Sequence, residues 1–239
     1  MSSTIDRAQE RVPERIASKS PLERTRKPML SCGIAASVLY GAIIWVIQYE
    51  GYSAISQTVS ELSAWGVSTR PLWIVLGSLY DALMIAFAVG VWVSAGERRL
   101  LRIAGGLLFV YGLLGLAWPF ASMHQREVIA AGGGTLADTG HLVLSGMTVA
   151  LMFAAMGFGA AASGRRFRIY SIATIAILLV FGGLTSLDGV RLAANLPTPW
   201  AGLWERISII GLLVWVVVLA VVLWRGEGNS AKAALPSAA

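Results

Sequence analysis

Apolar residues in this chain come in long blocks, not in alternation. Six blocks are of membrane length, at about 29–48, 71–94, 103–123, 139–163, 170–190 and 201–225. A helix needs roughly 20 such residues to cross a hydrocarbon core of about 30 Å. Each block is predicted to be helical, because in lipid a helix satisfies its own backbone groups. The two-residue alternation of a membrane β-barrel is not seen. The pattern predicts an all-α, polytopic membrane protein, a six-transmembrane-helix bundle over 29–225. The flanks 1–28 and 226–239 are expected to be disordered tails. The first is charged and contains Pro13 and Pro21, and the second is rich in Ala, Gly and Ser.

A polar stretch, SQTVSELSAWG at 56–66, interrupts the pattern between the first two blocks. Thr58 and Glu61 have the spacing of a capping box, and Gly66 is suited to stop a helix. Ile55, Val59 and Leu62 recur at helical spacing. A short interfacial helix between spans one and two is therefore predicted.

Composition agrees with the membrane reading. The chain is 56% hydrophobic and 13% charged, where a soluble domain carries roughly a quarter charged residues. The net charge of +6 is sorted along the chain. Arg7, Arg11, Arg15, Lys19, Arg24, Arg26 and Lys27 precede the first span. Arg98, Arg99 and Arg102 follow the second, Arg165, Arg166 and Arg168 follow the fourth, and Arg225 and Lys232 close the sixth. Only Arg70, Arg126, Arg191 and Arg206 lie on the other side. Basic loops remain cytoplasmic, so both termini are predicted inside and loops one, three and five outside. The basic residues are thereby assigned to topology and not to nucleic acid, and the expected partner is the lipid bilayer. The single cysteine, Cys32, leaves no internal disulfide and no cysteine metal cluster.

With topology assigned, Glu50, Glu61, Asp81, Glu127, Asp138, Asp188, Glu205 and both histidines fall in the outer loops or outer span halves, while the inner span halves carry essentially no acid or histidine. Asp81 is the most informative of them. It sits about 15 Å into its span at 1.5 Å per residue, where a carboxylate costs at least about 2.5–3.5 kcal/mol. Such a group must be neutral, paired or hydrated, and Arg206 is a candidate partner. In span four, Asp138, His141, Ser145 and Thr148 share a helical face, and Asp138 is one turn from His141, near enough to orient its imidazole. Asp81, His124, Asp138 and His141 form a candidate metal set, for a divalent ion such as zinc. The same inventory suits acid–base chemistry by Asp81 and His141 with Ser60 as nucleophile. Glu61, Glu205 and Arg206 are candidates to bind substrate. The spacings of HExxH, GxSxG and phosphate-binding glycine loops are not found.

The stretches YSAISQTVSELSAWG, DTGHLVLSG and GLWERISIIGLLVW, together with Asp81, resemble a bacterial integral membrane family known as domain of unknown function 998. The resemblance covers about 30–225 and implies a six-helix protein of the bacterial plasma (inner) membrane. It implies no activity.

Three functional classes follow from the residues. One is a membrane-embedded hydrolase or transferase with a polar, metal-binding pocket at the outer leaflet, acting on a lipid or small molecule. The alternative is a non-catalytic accessory subunit, or a small-ligand binding or transport protein. The residues leave open whether the chain is an enzyme.

Overall fold

Six helices in this chain are long and apolar enough to cross a membrane, running within Arg24–Val46, Arg70–Ala95, Arg99–Phe120, Leu136–Ala161, Arg165–Ala193 and Ala201–Gly226. The structure, a computed structural model, describes residues 21–194 and 196–233. Its helices are α1 (Pro21–Val46), α2 (Arg70–Ala95), α3 (Arg99–Gly115), the short α4 (Arg126–Ala130), α5 (Leu136–Ala161), α6 (Arg165–Ala193) and α7 (Ala201–Ala233). Two 3-10 turns, Val59–Ser63 and Trp118–Phe120, complete the architecture, and no strand occurs among the described residues. The protein is a multi-pass membrane protein of helical fold. Most of the two expected tails, 1–20 and 234–239, lies outside the described residues.

The long helices form a ring in sequence order: α1 packs on α2, α2 on α3, α3 on α5, α5 on α6, and α6 on α7. Contact between α7 and α1 closes it, and α5 meets α6 along the thinnest seam. Close packing depends on residue size. Phe87 of α2 is fully buried against Gly33 of α1, where an added Cβ would come within 2.5 Å of its ring. Leu30, Met84, Phe87, Leu108, Met156 and Trp215 fill the core around that contact. The buried indole of Trp215 donates to Ser171 Oγ at 2.9 Å, so this polar edge is satisfied inside the bundle.

The loops 47–69, 116–135 and 196–200 gather at one end of the ring. The segment predicted to be a short helix forms five residues of 3-10 helix, Val59–Ser63. Val59 and Leu62 are buried beside Trp73, while Ile55 is exposed. The tighter turn reflects how the segment is tied down. Its first amide and its glutamate are both held by distant elements.

Candidate functional site

Glu61 is central to the loop-rich end. It is only 1% exposed, and a buried carboxylate must be matched by donors. Thr58 N–H donates to its Oε1 at 2.9 Å and Gln57 Nε2 to its Oε2 at 3.0 Å. Arg126 grips it in a fork, Nε to Oε2 at 2.8 Å and an amino nitrogen to Oε1 at 2.6 Å. Such paired charge-assisted bonds are the strong kind. They raise the Arg126 guanidinium above its usual range, and burial opposes the shift. The other amino nitrogen of Arg126 donates to Thr198 Oγ1 at 3.1 Å, and Thr198 donates to the Ser56 carbonyl at 3.0 Å. One ion pair thus ties three loops together. A cavity of about 250 Å³ beside it is lined by Arg126, Leu192, Leu196 and Pro197.

Arg206 of α7 is fully buried. Its Nε and one amino nitrogen donate to the Ile44 carbonyl, at 3.2 and 2.9 Å, in the last turn of α1. The other amino nitrogen reaches the carbonyls of Ala54, Gly202 and Gln57 at 2.8, 3.2 and 3.3 Å. The Tyr52 hydroxyl accepts from Arg206 at 2.8 Å. A helix C-terminus carries partial negative charge, so a guanidinium there is favourably placed. Sequence reasoning offered Arg206 as a partner for Asp81, but its donors are spent on backbone carbonyls. Next to it, the Glu205 carboxylate accepts from Val59 N–H, the first amide of the 3-10 turn. Burial pushes the phenols of Tyr49 and Tyr52 above their usual range. The Glu61 charge adds to the shift at Tyr49, while Arg206 opposes it at Tyr52.

Asp138 caps α5. Thr135 N–H donates to its Oδ2 at 2.7 Å, the return half of a capping box. It also accepts from His124 N–H at 2.7 Å and meets His124 Nδ1 at 2.8 Å. Its partner is therefore His124 and not His141. Side chains in the first turn of a helix lean toward its N-terminus, away from the residue one turn on. His141 instead places Nδ1 2.9 Å from the Ala121 carbonyl and lies edge-on to Trp118. Among the described residues, no three His, Cys, Asp or Glu side chains meet as a metal site would need. Of the expected ligand set, His124 and Asp138 are hydrogen-bonded to each other, and Asp81 and His141 bond to neither. Ser60 faces the Glu205 carboxyl and pairs with neither histidine.

Asp81 differs from all of these. It is 6% exposed and has no hydrogen-bond or ion-pair partner within the described protein. Its carboxyl lies flat on Gly115 of α3, where a Cβ would collide with it. Gly112, one turn away, lets the two backbones approach, with an added Cβ 3.2 Å from the Asp81 carbonyl. Nearby in the bundle, the hydroxyls of Tyr80 and Tyr111 bond each other at 2.9 Å, and Tyr40 stacks on Tyr80 at 4.6 Å.

Residues 32–222 match the family model described as Protein of unknown function (DUF998). The chain belongs to this family. No curated protein and no solved structure matches it. The DUF998 region contains every polar side chain just described, including two that sequence reasoning did not rank as site residues, Arg126 and Thr198. Arg126 stands 65 residues from Glu61, so no local spacing announces the pair. The available signal was that Arg126 is one of only four basic residues on the predicted outer side.

Proposed function

We propose that this DUF998 protein binds a small ligand in the membrane through Asp81. In this reading it sits in a bacterial inner membrane with both termini cytoplasmic, its loop-rich end outside and the Val59–Ser63 turn at the outer interface. One observation carries the proposal. Of the four candidate carboxyls, Glu61, Glu205 and Asp138 are each held by donors, and Asp81 has none among the described residues. An unpartnered acid inside a span costs about 2.5–3.5 kcal/mol or more. A bound cation or N–H donor offsets that cost. The ligand class is therefore a small cation or protonated amine. A thermal-shift screen of purified protein against monovalent cations and small amines tests this. A member that raises the melting temperature of wild type should leave Asp81→Asn unmoved. An equal shift in both proteins, or no shift in wild type with any member, contradicts the reading.

A second reading, a hydrolase or transferase at the outer leaflet, is favoured by the His124–Asp138 pair. A carboxylate on Nδ1 fixes the tautomer and leaves Nε2 as a base. Its test is metal analysis with activity-based serine labelling. Stoichiometric zinc lost in His124→Ala, or phosphonate labelling lost in Ser60→Ala, would establish it. Neither signal in wild type would remove it.

A further inference from the structure

At the opposite end of the bundle, the α2–α3 connection borders an open surface cavity of about 460 Å³ lined by Trp92, Glu97, Arg99, Arg102 and Ile103. We infer that this cavity binds the headgroup of a zwitterionic aminophospholipid, with the phosphate on Arg99 and Arg102 and the ammonium on Glu97.

Depth is the first support. The second apolar helix ends at Ala95 and the third begins at Arg99, so the cavity lies at the level where two spans leave the hydrocarbon. Trp92 is 48% exposed and packs over Gly106, where an added Cβ would come within 3.3 Å of the ring. An indole at this level is what the headgroup region favours.

The charges are the second support. Arg102 is fixed at the rim by donating to the Gly96 carbonyl. Arg98 turns away, donating to the Ser94 and Ala95 carbonyls at 2.6 and 3.3 Å. The side chains of Glu97 and Arg99 are exposed and form no hydrogen bond or ion pair with the described residues. An acid and two guanidiniums thus line one cavity, yet none of them comes within the 4.0 Å of an ion pair. That separation leaves room for a group carrying both charges.

The pairing also decides between headgroups. A purely anionic headgroup would use the guanidiniums but be repelled by Glu97. A choline headgroup has no N–H to give a carboxylate. A primary ammonium satisfies Glu97 and can also approach the face of Trp92. Ile103 offers the apolar wall for the first acyl carbons. The inference is independent of the Asp81 reading and of which leaflet this end occupies.

Native mass spectrometry of the full chain in mixed micelles tests it, using phosphatidylethanolamine, phosphatidylglycerol and phosphatidylcholine with matched acyl chains. Wild type should retain phosphatidylethanolamine over both others. Glu97→Gln should weaken phosphatidylethanolamine about fivefold and leave phosphatidylglycerol unchanged or stronger, while Arg99→Gln should weaken both, also about fivefold. Both side chains are exposed and unpartnered, so unchanged melting serves as the folding control. Preference for phosphatidylglycerol, strengthened by Glu97→Gln, would overturn the inference in favour of an anionic lipid. Displacement of lipid by millimolar inorganic phosphate would overturn it in favour of a soluble phosphate. Equal retention of all three lipids would overturn it outright.

Discussion

Glu61 and Asp81 are both buried carboxyls, and they are treated in opposite ways. Glu61 receives donors from Thr58, Gln57 and Arg126. Asp81 lies against a glycine with no donor among the described residues. A buried charge with complete pairing holds architecture, because removing either partner strands the other. A buried acid with none is a cost to the fold and is retained for something outside it. Charge in an apolar span is therefore not one signal but two, separated by partners.

Variants can break or sharpen this contrast. The largest effect is expected at Arg206, whose removal strands the Ile44, Ala54 and Gln57 carbonyls and empties a packed site. Arg206→Ala should lose about 3–5 kcal/mol of stability, read as a fall in melting temperature or in folded yield. Arg206→Lys, which keeps the charge but not the fork, should fall between the two. A wild-type melt for Arg206→Ala would deny that the backbone carbonyls need this cation.

Glu61→Gln comes next. Arg126 is 24% exposed at its side chain, so water softens the loss of its partner, and about 2–3 kcal/mol is expected. Pairing it with Arg126→Met should recover part of that loss, since a stranded charge costs more than an absent pair. Strict additivity in the double-mutant cycle would contradict the ion pair's place as a tie between loops.

Gly115→Ala should cost about 1–2 kcal/mol, because the new methyl meets the Asp81 carboxyl. In an Asp81→Ala background the same change should cost much less. A penalty that survives in that background would mean the glycine serves helix packing alone. Asp81→Asn should lower stability least of all: no partner is lost and the unpaired acid is removed, so its melting temperature should equal or exceed that of wild type.

The spans were legible because hydrophobic length is a local property, and each apolar block forms the expected helix to within a few residues at most ends. The Thr58–Glu61 capping box was legible for the same reason, its two halves being three residues apart. Contacts between distant loops were not. Glu61 finds Arg126 across a loop–helix–loop–helix path that no periodicity encodes. Asp138 was expected to serve His141 on its own helix, but its place in the first turn directs it back to His124. The depth of Asp81 was readable from the sequence. Its lack of a partner was not, because that depends on where Arg206 points, and Arg206 points to the end of α1.

Reactivity toward a hydrophobic carbodiimide tests the central claim most directly. The reagent enters from the apolar phase and reacts with a carboxyl in its protonated form, the form that an acid in hydrocarbon takes when no donor or cation holds its charge. Peptide mapping after brief treatment of the protein in membranes should find Asp81 modified, with Glu61, Asp138 and Glu205 left intact. Modification of Glu61 or Asp138 while Asp81 stays unreacted would contradict the division between held and available acids, and with it the assignment of Asp81 as the ligand-binding group.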